Sequence, residues 1–484
     1  MTWGVHVSLA SRWLDPAETE GTIIPFMVLY ALHDALLKPM PAGPQTPSLA
    51  ESWTMSRDGL TYEFVLRNGV KFHNGESVTA GDVKFSFERY RGGGAKQIKE
   101  RVREVQVVDP RRVRFHLKEP WPDFLTYYGT TASGAGWIVP QKYVEQVGDD
   151  GFKKAPVGAG PYRVVSFNPG VELVAEAFEG YWRKAPVVKR LVFKVMPDDT
   201  TRAAALKRAE VDVIFQVNGP VAEDLRRTPN LRIVSRQTGF GVFWLDLPEQ
   251  WDSRSPWHDR RVRQAANLSL DREAVNQAES LGTSRLTGSI IPRSFEFALP
   301  FDPAPYDPAK ARQLLAEAGY PNGFDAGDFY PYPPLHAMGE ALASYLGAVG
   351  IRTRVRTMER AAYLTAWRDK KLKGVLMGLN GSGGNAATRL EAFVTRTGIY
   401  AYGVLPEVED LYLRQARELD RSKREAFLHQ IQRILHERVM HVPVYELSPM
   451  AGIGPRVEQS GVGLILGFPY SAPYEDVTLR STGR

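Results

Sequence analysis

The sequence predicts an α/β or mixed α+β chain of more than one domain. Short β-like runs alternate with amphipathic helices along its length. A strand, a helix and a second strand follow one another across 191–215, the spacing of a βαβ unit. No fixed-period repeat is visible in the 484 residues, which argues against a solenoid or propeller. At roughly 150 residues per domain the length points to about three domains. Apolar residues make up 43% and charged residues 24%, which excludes a disordered chain and leaves ample material for a core. Lysine and arginine number 61 against 55 aspartates and glutamates, so the net charge is only +6 and does not by itself indicate nucleic acid or membrane. The absence of cysteine removes disulfide scaffolds, thiolate metal sites and cysteine nucleophiles. No apolar run approaches the roughly 18 to 20 residues of a membrane-spanning helix.

The elements follow in order. Residues 52–55 and 61–67 read as two strands around the Arg57-Asp58-Gly59 turn, with Tyr62, Phe64 and Leu66 alternating onto one face. Thr79-Ala-Gly-Asp82 matches a capping box opening a helix toward Arg91, and Gly92-Gly93-Gly94 is expected to end it as a flexible surface loop. A turn over 157–162 feeds a strand over 163–167, and 191–195 is a further strand. Asp199 is expected to cap a helix over 201–207, ahead of a buried strand over 211–215. Later the chain grows richer in helix. Asp307-Pro308 supplies an N-cap and first-turn proline, Ala311, Leu314, Leu315 and Ala318 share one face, and Gly319 closes the helix. Ser422-Lys-Arg-Glu425 reads as a second capping box, with Leu428, Ile431 and Leu435 as the buried stripe and Pro443 as the stop. Two aromatic-rich, Pro/Gly-punctuated segments, 236–247 and 449–463, read as crossings between domains.

Signals for catalysis are weak. Gly381 to Ala386 fits G-x-G-x-x-A after an apolar run, but no acidic residue closes a second strand about 20 positions on. The pattern is therefore a Gly-rich loop, able at most to present backbone N–H groups to a ligand at a helix start. His436 and His441 stand five apart, one place too far for a zinc-protease pair, and with His429 they read as solvated helix histidines. There is no Walker A pattern and no nucleophile elbow. The basic clusters at 260–263 and 370–373 lack interleaved aromatics, so no nucleic-acid partner is expected. A two-carboxylate hydrolase finds no positive support.

Taken together, Leu14-Asp15-Pro16, the block 58–75, Thr79-Ala-Gly-Asp82, Gly158-Ala-Gly-Pro-Tyr162, Tyr181-Trp182, Phe243-Trp244-Leu245-Asp246, the run 261–272 and the segment 306–320 form an ordered pattern over most of the chain. In these the chain resembles the family 5 extracellular solute-binding proteins of ABC transporters, the dipeptide/oligopeptide/nickel-binding group. The resemblance implies a two-lobed periplasmic-binding-protein fold (type II, cluster C-like) with an extra strand-rich inserted subdomain. It implies a first lobe from 1–33, 156–238 and 457–484, an insertion over 34–155, a second lobe over 239–456, and hinge crossings near 236–242 and 450–460. It implies no catalysis, no cofactor and no resident metal. The expected partners are a small-molecule solute and an ABC permease with its ATPase, met by a monomer in the periplasm or, membrane-associated, outside the cell. The N-terminus Met1-Thr-Trp-Gly-Val-His carries no signal peptide and so reads as a mature form without its leader. A sensor for a membrane signalling partner would share the fold, and a secreted hydrolase is the more distant alternative.

The resemblance also nominates ligand contacts. Glu20, Gly21 and Thr22 follow the first strand, Ser133 and Trp137 lie where the insertion reaches toward the ligand, and Phe240 and Phe243 lie at a crossing. Trp367 and Tyr402 flank the Gly-rich loop, in which Asn380, Gly381, Ser382 and Asn385, with Arg389 nearby, are the polar groups. Amine-recognising peptide binders of the family carry a Trp-x-x-Asp-like segment here, its carboxylate pairing with the peptide ammonium. In this chain those two positions fall on Leu379 and Ser382, and no acid follows until Glu391. The departure predicts a ligand other than an ordinary free-amine peptide, presenting hydroxyls, an anion or a stacking face.

Overall fold

Tyr62, Phe64 and Leu66 are all buried in the strand Thr61–Leu66, as the period-two pattern requires. That strand belongs to an antiparallel four-stranded sheet in the order Ala50–Met55, Thr61–Leu66, Arg112–Leu117, Val102–Asp109. Its inner face packs against a core of its own, built on Phe64, Phe87, Phe115, Phe124 and Tyr128. The computed structural model describes residues 1–236, 239, 241–333, 335–381 and 383–480. The chain divides into two compact units, one of Met1–Thr238, Ser382–Gly384 and Pro449–Arg484, the other of Gly239–Gly381 and Asn385–Ser448.

The first unit holds, besides the four-stranded sheet, a seven-stranded one. Its order is Tyr162–Asn168, Glu172–Ala177, Arg190–Val195, Thr2–Val5, Val213–Val217, Met450–Ile453, Arg232–Ser235. The strands Arg190–Val195 and Val213–Val217, with the helix Asp199–Lys207 between them in sequence, are not neighbours. Thr2–Val5 lies between them, parallel to both. Asp212 fixes the arrangement: its carboxylate accepts from Thr2 N at 2.8 Å and from Arg456 Nε at 2.9 Å. Met450–Ile453, expected in the second lobe (239–456), pairs here with both Val213–Val217 and Arg232–Ser235, so the first unit resumes by Pro449.

The second unit is built on a six-stranded mixed sheet in the order Arg285–Leu286, Val442–Glu446, Val242–Asp246, Val375–Asn380, Phe324–Tyr330, Ile351–Val355. All five residues of Val242–Asp246 are buried, as a strand covered on both faces should be. Opposite Trp244 stands Gly378, where any Cβ would overlap the indole. This close approach explains a glycine inside the strand.

Helix caps follow the sequence with small shifts. Thr79 and Asp82 form the capping box of the helix Ala80–Arg89. Asp198 rather than Asp199 caps Asp199–Lys207, its carboxylate accepting from Thr201 N at 2.7 Å. Asp420 rather than Ser422 caps Arg421–Glu437, accepting from Lys423 N at 3.0 Å. That helix closes at Arg438, well before Pro443, which sits in the strand Val442–Glu446 where the register shifts. The Gly92-Gly93-Gly94 segment is not a free loop. Arg91 N donates to the Ala17 carbonyl and Gly93 N to that of Thr19, each at 2.9 Å, and a Cβ on Gly92 or Gly93 would overlap the carbonyl oxygen of Thr19 or Glu20. The glycines are there for close backbone approach.

Candidate functional site

In the first unit that glycine clasp positions the segment carrying Glu20, Gly21 and Thr22. Charge reinforces it: Arg89 bridges Asp15 at 2.5 Å and Asp149 at 2.7 Å, and Arg91 bridges Glu18 at 2.5 Å and Asp149 at 2.7 Å. Glu20 is exposed and pairs loosely with Arg12 at 3.6 Å. The space that a side chain on Gly21 would fill is open. Thr22, at the start of the helix Ile23–Leu32, is buried, and its Oγ1 makes no hydrogen bond.

Trp137 is buried with Nε1 also unpartnered. Its ring stands edge-on to Phe26 at 5.3 Å and to Tyr30 at 5.4 Å, and Phe468 stacks on Phe26 at 5.3 Å. Ser133 is committed to its own loop, donating to the Tyr127 carbonyl at 2.7 Å and accepting from Ala135 N. Sequence reasoning missed the charge beside this aromatic cluster. Lys38 lies 5.2 Å over the Tyr30 ring and pairs with Asp34 at 2.5 Å, both side chains almost fully buried. Asp34 also accepts from Trp182 Nε1 at 2.7 Å and Ser48 Oγ at 3.2 Å. Such a pair holds only because its remaining lone pairs are satisfied. The signal that could have found it is a lone lysine in the apolar run 35–40.

The strand Val375–Asn380 and the helix Ala386–Val394 belong to the second unit, and the Gly-rich loop joins them, with Gly383 and Gly384 counted in the first. Asn385 is the N-cap: Thr388 N donates to Asn385 Oδ1 at 3.0 Å, and Asn385 N donates back to Thr388 Oγ1 at 3.1 Å. Arg389 lies beneath the loop, fully buried, with Nη1 donating to the Asn380 carbonyl at 3.0 Å and its guanidinium 5.3 Å over the Phe295 ring. Burial lowers its pKa to about 9, so it still carries its charge at neutral pH. The structure thus brings Asn380, Gly381, Asn385 and Arg389 together. Phe240 and Ser382 lie outside the described residues. Phe243 is core, edge-on to Tyr445 at 5.6 Å. Trp367 is likewise enclosed, among Trp244, Phe393 and Tyr400. Tyr402 lines a separate pocket with Asp246, Gln250 and His441.

The histidines form no metal centre. His436 stacks on Phe301 at 4.1 Å, while His441, expected on a solvated helix face, is half-buried beyond the helix end and held neutral, its pKa lowered to about 4 by desolvation. Among the described residues no three His, Asp or Glu side chains gather as a metal site. Nor, among them, is any helix long and apolar enough to cross a membrane.

Residues 45–401 match the family profile described as bacterial extracellular solute-binding proteins, family 5 middle region. Heme-binding protein A of Haemophilus influenzae is 30% identical over 450 residues, covering 85% of this chain and 81% of that protein. The chain belongs to the family 5 extracellular solute-binding proteins. Proteins of this family are non-catalytic binding proteins. The dipeptide-binding protein of Escherichia coli is 28% identical over 443 residues, covering 83% of this chain and 81% of that relative. A solved solute-binding protein of A. tumefaciens, in complex with mannopinic acid, superposes with a TM-score of 0.77 at 23% identity over 99% of each chain. The mixed α/β periplasmic-binding-protein architecture is therefore shared along the whole length.

Proposed function

We propose that this family 5 protein is the substrate-binding component of an ABC importer in the periplasm. It captures a small organic solute by closing two lobes over it, and hands the closed form to the permease and its ATPase. Closure requires that the solute prefer the closed state energetically, since equal affinity for both states would shift nothing. The solute is opine-like, oligosaccharide-like or a blocked peptide, rather than a peptide with a free amine.

The observation that carries this choice is the charge of the Gly-rich loop. No Asp or Glu occurs from 370 to 390, whereas a buried guanidinium donates to the loop's own Asn380 carbonyl. An ammonium brought there would meet a like charge and no carboxylate from the loop itself, at a cost of several kcal/mol. Hydroxyls or a carboxylate would meet Asn380, the loop N–H groups and the positive charge below. Mannopinic acid in the A. tumefaciens protein supports a non-peptide acid as a ligand this architecture accepts. Within the first unit, Thr22 Oγ1 and Trp137 Nε1 are buried without a hydrogen-bond partner. Isothermal titration with unmodified di- and tripeptides, their N-acetylated forms and sugar–amino-acid conjugates tests the reading. Heat is expected from the conjugates or acetylated peptides, and micromolar binding of unmodified peptides would overturn it.

A further inference from the structure

The strand Val242–Asp246 ends in a buried carboxylate that nothing neutralises. Asp246 Oδ1 accepts from Leu247 N at 3.0 Å, and no cation lies within ion-pair distance among the described residues. The turn Pro248–Trp251 then brings Gln250 beneath it. Gln250 Nε2 donates to the Met440 carbonyl at 3.1 Å, which fixes the amide and leaves Oε1 buried without a donor. Both groups line one pocket, walled by Trp251, Phe393, Leu405 and Met440. Tyr402 reaches it with a hydroxyl that makes no hydrogen bond within 3.5 Å, a longer contact with the Leu372 backbone aside.

We propose that this pocket within the second unit binds a small monovalent cation, held by the Asp246 carboxylate, Gln250 Oε1 and the Tyr402 oxygen. Three oxygens, one of them charged, suit a hard ion. A single carboxylate is too few for a divalent ion of the calcium type, whose sites gather several. The free space inside is that of about one water, which excludes an organic solute. A water alone would satisfy Gln250 but leave the carboxylate charge uncompensated, so either a proton or a cation completes the site.

The neighbouring titratable groups leave that role open. Lys370 is the nearest cation: its ammonium stands 5.4 Å over the Tyr402 ring, is held by the Ile399 carbonyl at 2.6 Å, and acts on Asp246 only beyond ion-pair distance. His441 is neutral, and Tyr363 and Tyr402 are phenols pushed well above their usual range by burial. Burial likewise pushes Asp246 up to about 7, so proton and cation compete near neutrality.

The test is thermal unfolding of the full chain at pH 8 and fixed ionic strength in sodium, potassium, ammonium or tetramethylammonium chloride. At least one small cation is expected to raise Tm by about 2 °C or more over tetramethylammonium, which is too large to enter. The gain is expected to vanish in Asp246→Asn and at pH 5, where the proton occupies the site. If Asp246→Asn does not fold, Gln250→Met serves, keeping the charge and removing an acceptor. Rubidium-soaked crystals are expected to show an anomalous peak beside Asp246. Equal Tm in all four salts, or a gain that persists in Asp246→Asn, would overturn the proposal, as would a gain in potassium with no rubidium peak there.

Discussion

His73 Nδ1 accepts from Gly158 N at 3.2 Å, so its Nε2 carries the proton and faces the Gly160 carbonyl at 2.9 Å. His33, on the same loop's other side, lies with Nε2 3.1 Å from the Leu14 carbonyl. Burial lowers His33 to about 3, and His73 and His441 to about 4. Below the free value near 6.5 the unfolded chain therefore binds protons that the native state refuses. Stability is lost as pH falls through that window, at up to about 1.4 kcal/mol per pH unit for each histidine, until the native values are reached. Asp246 has the opposite sign. Its native form holds a proton between the free value and about 7, so its contribution is lost as pH rises. Urea midpoints should fall from pH 6.5 toward 4, and Asp246→Asn should steepen that fall while stabilising the protein at pH 8. At this scale the sequence was least legible. The histidine spacing puts His441 on a solvated helix because nothing in it marks the helix end at Arg438, and the burial of Asp246 depends on the strand Val375–Asn380, far away in sequence.

Local elements were the most legible, because their signals are local. The capping box Thr79–Asp82 and the Asp307-Pro308 start stand where the spacing put them. Asp420 prevailed over Ser422 because a carboxylate two residues earlier reaches the Lys423 amide and extends the helix. Thr79→Ala is expected to cost about 1 kcal/mol in chemical denaturation, with the ligand affinity unchanged. The glycine triplet was legible as glycine and misread as to purpose. Flexibility and close approach give the same sequence, and only the opposing carbonyls of Thr19 and Glu20 distinguish them. Gly93→Ala must push that segment away, at about 1–3 kcal/mol. Hydrogen exchange at 17–22 should rise and ligand affinity fall, whereas Gly170→Ala, at an open turn, should leave exchange there unchanged. The strand and the helix on either side of the Gly-rich loop could be located from the strand–glycine–helix pattern. The enclosed settings of Trp367 and Phe243 could not, since an aromatic in a core and one on a ligand face look alike in sequence.

For the whole molecule, the ordered motifs predicted the family, and the strand order could not be read without it. Neighbours in the seven-stranded sheet come from both ends of the chain, as Thr2–Val5 and Met450–Ile453 flanking Val213–Val217 show. A ligand present at 100 times its Kd is expected to add about 2.7 kcal/mol to native stability, so a melting screen of opine and sugar-acid libraries should single out the solute. The place of Met450–Ile453 has a further consequence. The second unit is almost one continuous stretch, complete once the chain reaches Ser448, whereas the first must wait for residues made afterwards to fill a gap between two of its own strands. As the chain leaves the ribosome, its beginning is thus barred from finishing until its end arrives.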